Sequence, residues 1–309
     1  MPDKNRATIS ATQSPALFNA SPYITRWMLY RFLKGDDIEQ PASDRMDWGI
    51  KLQPLVLEQA ARDLKLEVTP NEQSVYVAHP GLRLGYTADA AIVCPDRGRG
   101  TVESKCVFDY GVWMRDWNGG KTPPHHYELQ LQHQLLVGDG HARFDWGVIA
   151  AWVCGEMHYF ERRRDEIASN AIVAASSQMF DDVANNREPS PFGAEIEAPL
   201  LTALFPVAGD KVLDLTAHAD AHKWADLARM FADFGQQANF YDKARAAAKL
   251  QLQALMTDSV KLLLPGVTVR RLERRVKEHT RPASVSVQLK IDTEATAADG
   301  DVKTILEAG

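Results

Sequence analysis

Apolar positions along this chain follow two rhythms. From Ser21 to Lys34, SPYITRWMLYRFLK, they recur at helical spacing, with Ser21-Pro22 as an N-cap and first-turn proline. The polar stretch GDDIEQPASD reads as a loop. A second helical pattern runs from Trp48 to Leu66, with Leu52, Leu55, Val56, Ala60 and Leu64 on one stripe. The period then shortens to two. Ser74 to Ala78 alternates weakly. Leu84 to Val93 reads as one strand, with Tyr86, Ala88, Ala90 and Ile92 on one side and Asp89 on the other. The glycine-containing turn PDRGRG returns the chain as a strand from Thr101 to Phe108, so Asp89 and Glu103 fall on neighbouring strands of a hairpin.

The stretch from Trp113 to Thr122, WMRDWNGGKT, reads as a loop ended by Pro123-Pro124. Its tryptophans, Trp113 and Trp117, are either rim or core residues or platforms on which unpaired bases stack. His126 to Val137 reads as a helix, Trp146 to Val153 as a buried central strand, His158 to Arg163 as a more polar strand beside it, and Asp165 to Asn186 as a helix stopped before Pro189 and Pro191. From about Leu200 the texture changes. Ala217 to Met256, rich in alanine, leucine and lysine, predicts one or two long helices. The segment PGVTVRRLERRVKEHTRPASVSVQLKI is basic, and its periodicity fits strand or helix. Its run of Arg270, Arg271, Arg274, Arg275 and Lys277 suits phosphate binding, a solvated face or a subunit contact equally. The residues after Ile291 read as a tail of little apolar content.

The 309 residues, 45% hydrophobic and 25% charged, describe an ordinary globular protein. No apolar run is long enough for a bilayer, and MPDKNRATISATQ lacks the apolar core of a signal peptide, so no membrane partner and a cytoplasmic location are expected. Cys94, Cys106 and Cys154 form no CxxC pair and read as buried free thiols. The net charge of −6 argues against a sequence-independent nucleic-acid coat, but allows an enzyme with a local basic groove and an acidic metal site.

The candidate chemistry centres on Glu103-Ser104-Lys105. Alternate side chains of a strand share a face, so Glu103 and Lys105 point the same way and Ser104 does not. Asp89 and Glu103 can supply the hard oxygen ligands that Mg2+ prefers, with Mn2+ able to substitute, and the Ser104 carbonyl can add a third. Lys105 can orient an attacking water and offset charge on the phosphorane. Tyr127 and Gln130 share a helical face and reach the strand if that helix packs across it. Gln132 reads as solvent-facing. His125, His126 and His133 have no carboxylate or cysteine at zinc spacing and read as loop and capping residues.

Together these motifs resemble the lambda exonuclease and YqaJ-type viral recombinase family within the PD-(D/E)-x-K nuclease superfamily. The resemblance lies in Ile9-Ser10-Ala11-Thr12, in Asp47 to Pro54 (DWGIKLQP), in Gly85-Tyr86-Thr87-Ala88-Asp89, in Glu103 to Phe108 (ESKCVF), in Tyr127 to Gln132 (YELQLQ) and in the helix end from Phe180 to Pro189. It implies an α/β, restriction-endonuclease-like core with a central mixed sheet flanked by helices over residues 1–205, a helical and basic extension over 206–291 and a flexible tail over 292–309. It implies a magnesium-dependent exonuclease, encoded by a phage or prophage and acting in a bacterial cytoplasm. Such an enzyme degrades linear double-stranded DNA 5′ to 3′, leaves 3′ single strands for an annealing partner, and forms a ring-shaped homo-oligomer, with a trimer favoured. Asp89, Glu103, Lys105 and Gln130 are then catalytic. Asp89, Glu103, Ser104 and Gln53 hold metal, and Arg6, Thr12, Thr87, Tyr127 and Arg115 contact DNA.

The chain departs from the family pattern where the helix motif's glutamate aligns with Gln53, five residues before Glu58. Arg6 is one position from the arginine that grips the 5′-phosphate. The arginine expected after the Glu-x-Lys strand aligns with Gly111, and two readings stand: Arg115 replaces it, or nothing does. Two readings compete with the exonuclease: a related endonuclease, and a DNA-binding assembly protein with a decayed nuclease core. An iron–sulfur adaptation nuclease is disfavoured by the three cysteines.

Overall fold

The hairpin predicted around PDRGRG sits in the middle of the fold. In the computed structural model, which describes residues 6–38, 43–192, 195–204, 214–256, 261–264 and 267–270, the chain divides into two compact units, Met1–Pro206 and Val207–Gly309. In the first unit the strands are β1 (Ile9–Ser10), β2 (Glu67–Pro70), β3 (Tyr76–Ala78), β4 (Leu84–Thr87), β5 (Ala90–Cys94), β6 (Gly98–Val107), β7 (Trp146–Val153) and β8 (Glu156–Arg163). The helices are α1 (Arg26–Lys34), α2 (Asp44–Leu64), α3 (Tyr110–Asp116), α4 (His125–Val137), α5 (Glu166–Ala184) and α6 (Ala198–Leu204).

The main sheet has the order β2-β5-β6-β7-β8. It is antiparallel except where β6 runs parallel to β7, with Glu103 opposite Ile149 and Lys105 opposite Ala151. Helices cover both faces. On one, Val56, Leu57 and Ala60 of α2 pack against Ala90, Ile92, Val102, Val148 and Ala150. On the other, Leu131 and Leu135 of α4 pack with Val107, Ile149, Ala151, Val153 and Phe160. This is the mixed, helix-flanked sheet expected from the sequence. A third core joins α1 and α5 to a small sheet of order β1-β4-β3. There β1 lies parallel to β4, Ser10 opposite Gly85, so the amino-terminal motif pairs directly with the segment leading to Asp89. Gly85 makes room at this crossing, because a Cβ would lie 2.5 Å from the Tyr76 hydroxyl and that ring would have to shift.

Several boundaries differ from expectation for identifiable reasons. The first helix begins at Arg26, capped by Thr25, whose hydroxyl accepts the Met28 N–H at 3.2 Å. The Ser21 hydroxyl instead closes a turn on the N–H groups of Tyr23 and Ile24. Ser43 caps α2, which begins at Asp44, four residues ahead of the predicted start. The single strand expected over Leu84–Val93 is two strands in two sheets, broken at Ala88-Asp89, where Asn71 bonds both carbonyls. The expected loop from Trp113 is mostly α3, begun by Asp109 as N-cap.

In the second unit, α7 (Ala221–Met256) forms one long helix, and β9 (Lys261–Leu264) pairs antiparallel with β10 (Val267–Arg270). Of the basic run, Arg270 ends β10, while Arg271, Arg274, Arg275 and Lys277 lie outside the described residues, as does the tail over 292–309. Among the described residues no helix is long and apolar enough to cross a membrane.

Candidate active site

Asp89 occupies the gap where β4 ends and β5 begins, free of ladder geometry and turned toward the next strand. Its Oδ2 accepts two hydrogen bonds from Ser104, from the backbone N–H at 2.7 Å and from the hydroxyl at 2.7 Å. Ser104 thus holds Asp89 through its N–H and side chain.

Glu103 and Lys105 point from β6 to the face covered by α4. Glu103 is only 3% exposed, and three donors hold it. The Lys105 ammonium pairs with Oε1, the Gln130 amide donates to Oε1 at 2.7 Å, and the Gln134 amide donates to Oε2. Gln130 and Gln134 are four residues apart, one helical turn, so both meet the same carboxylate. Tyr127, one turn earlier, puts its ring 4.7 Å from the Lys105 nitrogen, a cation–π contact.

Two further contacts fix α4 against the sheet. Glu128 forms a two-oxygen pair with Arg162 of β8, at 2.6–3.0 Å. Gln132 is buried rather than solvent-facing; its amide donates to the Arg163 carbonyl at 2.9 Å and its oxygen accepts the Asp165 N–H at 2.8 Å. The helix that carries Gln130 is thereby tied to the start of α5.

Electrostatics follow from this enclosure. Burial, then the neighbouring Asp89 carboxylate, pushes Glu103 above the ordinary carboxylate range, against the pull of Lys105 and Gln134. Burial alone would lower Lys105, but Glu103 and Asp89 outweigh it and hold the ammonium above its usual range. Burial raises the Tyr127 phenol too, with Tyr23 beside it. Two carboxylates forced together, one nearly dry, suit a divalent cation: bound there it would relieve their repulsion, and Mg2+ commonly takes one or two carboxylates and leaves its other positions to water and phosphate. The donor set therefore fits, with Asp89 and Glu103 as its charged members. Among the described residues no group of three or more His, Cys, Asp or Glu is placed to hold a metal.

The other candidates lie elsewhere. Gln53 is half-buried on α2, the helix covering the Val102 face, and among the described residues it makes no hydrogen bond to Asp89, Glu103 or Lys105. Glu58 pairs with Arg62 on the exposed side of the same helix. Arg6 is used to close the carboxy-terminal end of α1, donating to the carbonyls of Phe32, Gly35 and Asp36 and pairing with Asp37. Arg115 is 69% exposed on α3 and pairs with Asp116. Thr12 bonds Ser10 at 3.0 Å and Thr87 ends β4, both exposed. Trp113 and Trp117 are 4% and 1% exposed, packed on Phe160 in the core, and offer no open ring face to a base.

Of the histidines, His133 is a core residue bonded through Nε2 to the Gly85 carbonyl at 3.0 Å, and burial holds it down to about 4. Sequence reasoning missed Gln134, whose signal is a glutamine one turn beyond Gln130 between Leu131 and Leu135. It also missed Arg45, which with Tyr23, Met46, Phe108 and Tyr127 lines a cleft of about 580 Å³ beside Cys106.

The sequence profile of the YqaJ-like viral recombinase domain matches residues 3–141. That match covers just under half of the chain. Asp89, Glu103, Lys105, Tyr127, Gln130 and Gln134 all lie within it, while β7, β8 and α5, which complete the sheet and clamp α4, follow it. No curated protein matches the chain significantly. Solved structures with partial similarity include LHK-Exo in complex with dAMP, at 18% identity and a TM-score of 0.46, covering 66% of this chain and 97% of that one. The alkaline exonuclease LHK-Exo from Laribacter hongkongensis matches at 18% identity and TM-score 0.45, covering 65% and 95%. A phage related exonuclease from Haemophilus somnus 129PT matches at 12% identity and TM-score 0.39, covering 57% and 83%.

Proposed function

We propose that this chain is a divalent-metal-dependent exonuclease that degrades linear double-stranded DNA. The match to the YqaJ-like viral recombinase domain supports a nuclease of the viral-recombinase type, a hydrolase acting on DNA. The finer reading rests on one observation: Asp89, Glu103, Lys105 and Gln130 converge where β4 breaks into β5 and α4 crosses β6. A divalent cation, Mg2+ or Mn2+, held by Asp89 and Glu103 would supply Lewis-acid polarisation of the scissile phosphate.

The protein's own groups do the rest. Ser104 holds Asp89 toward β6. Gln130 and Lys105 hold Glu103. The Lys105 ammonium, kept charged by the two carboxylates, offsets charge building on the phosphorane and orients the attacking water. The Tyr127 ring limits the directions in which Lys105 can lean. Digestion runs 5′ to 3′ and leaves 3′ single strands for an annealing partner in phage-type recombination, and the enzyme works as a ring-shaped homo-oligomer, a trimer by family resemblance. Residues 206–291 act as an appended helical and basic extension.

The test is digestion of linear and closed circular duplex with Mg2+, each strand end labelled separately. Loss of the 5′ label ahead of the 3′ label, with the circle intact, is expected. Equal cleavage of the circle would replace this reading with an endonuclease. Duplex binding without metal-stimulated cleavage would replace it with a DNA-binding assembly protein.

A further inference from the structure

We propose that Gln134 is a positioning residue for Glu103, completing with Gln130 a two-pronged amide clamp that sets the carboxylate plane for a divalent cation. The inference rests on the metal-dependent reading above and adds a residue outside the Tyr127 to Gln132 motif.

Gln134 has no exposed surface and sits on α4 beside Leu131 and Leu135, where an apolar side chain would pack without penalty. Its amide nitrogen donates to Glu103 Oε2, whereas its own oxygen is buried with no hydrogen-bond partner among the described residues. An unpaired buried acceptor costs about 1–3 kcal/mol, so a glutamine here is unfavourable unless its donor half is put to use. The Glu103 carboxylate is that use.

The two glutamines divide the carboxylate between them, Gln130 on Oε1 and Gln134 on Oε2, and so fix its rotation about the terminal bond. Lys105 alone, touching only Oε1, leaves that rotation open. Amides suit the task because they orient an anion without carrying charge. A second lysine in place of Gln134 would hold Glu103 equally well but would repel the cation. Each carboxylate oxygen has about two lone-pair sites. Oε1 fills both with Lys105 and Gln130, and among the described residues Oε2 accepts only Gln134, which leaves Oε2 the oxygen available to a metal.

Partners that orient a metal-binding side chain change metal affinity by about 10–100-fold when removed. Calorimetric titration of the metal-free full-length protein with MnCl2 reads this directly, for wild type, Glu103→Gln and Gln134→Met, alongside metal-free thermal unfolding. Wild type should bind Mn2+, Glu103→Gln should lose binding, and Gln134→Met should bind at least about 10-fold more weakly while remaining folded at the titration temperature. Duplex degradation by Gln134→Met should recover as Mn2+ is raised. Affinity within twofold of wild type in a folded Gln134→Met protein overturns the proposal. If that variant does not fold, Gln134→Asn, which withdraws the amide by one methylene, carries the same two outcomes, and failure of both to fold assigns Gln134 to the core and also overturns it. A wild type that binds no Mn2+ would instead remove the metal-dependent reading on which the clamp depends.

Discussion

Gln130 donates at 2.7 Å to the same Glu103 oxygen that takes the Lys105 ammonium. A neutral donor from a helix and a charged donor from the strand thus share one acceptor, which ties the packing of α4 to the position of Lys105. Replacing Lys105 by methionine keeps the apolar stem and removes the charge. The expected result is a loss of at least about 100-fold in the rate of linear duplex degradation at saturating Mg2+, the scale seen when one donor to a developing negative charge is removed. Circular dichroism should show an unchanged fold. Undiminished degradation would place the chemistry elsewhere.

The part of this arrangement legible in the sequence is the part set by local periodicity. Glu103 and Lys105 share a face because strands alternate, and the PDRGRG turn brings Asp89 beside them. The break at Ala88-Asp89 was hidden, because the two-residue rhythm of Tyr86, Ala88, Ala90 and Ile92 continues through it. It is set by Asn71, distant in sequence, which bonds the Ala88 and Asp89 carbonyls. Gln132 and Gln134 were obscured for a related reason. A polar residue on a helix reads as solvated unless its tertiary partner is known, and here those partners come from β6 and from the β8–α5 junction. Trp113 to Thr122 reads as a loop because two glycines and two tryptophans fall within it, although the helix that takes up its start carries a capping signal in Asp109, whose carboxylate accepts the Gly111 N–H at 2.7 Å.

Trp117 separates a core role from a base-stacking role. It is buried among Trp113, Tyr127 and Phe160. Trp117→Ala should cost about 3–5 kcal/mol of stability in urea unfolding, the range for a large aromatic removed from a core. A stacking platform would instead lose about 1–3 kcal/mol of single-strand affinity with stability untouched. Unfolding and DNA binding measured on the same variant distinguish the two.

His133 should make the protein sensitive to mild acid. Its folded pKa of about 4 lies below the unfolded value of about 6.5. Between those values the unfolded chain binds a proton that the folded chain does not, so stability falls as pH drops through about 6.5 and the loss levels off near about 4. This site accounts for about 2 kcal/mol between pH 7 and pH 5. His133→Gln keeps a donor for the Gly85 carbonyl and removes the titration. Urea unfolding at the two pH values should show a smaller loss for the variant by about that amount, and an equal loss would mean that His133 is already charged in the folded state.

Arg6 offers a choice between anchoring the fold and gripping a 5′-phosphate. Its guanidinium already donates to the carbonyls of Phe32 at 2.8 Å, Gly35 at 3.0 Å and Asp36 at 3.2 Å. Those carbonyls lie at the end of α1, where a cation also meets the negative pole of the helix. Its guanidinium carbon lies over the Phe32 ring, 5.1 Å from the ring centre. With its donors committed in this way, Arg6→Ala should lower stability by about 1–3 kcal/mol, the range for hydrogen bonds from a charged group. The ratio of digestion rates on 5′-phosphorylated and 5′-hydroxyl ends should stay within about twofold of wild type, since a phosphate contact that Arg6 does not make cannot be lost. A ratio that collapses while stability holds would show instead that Arg6 leaves the helix end when DNA binds.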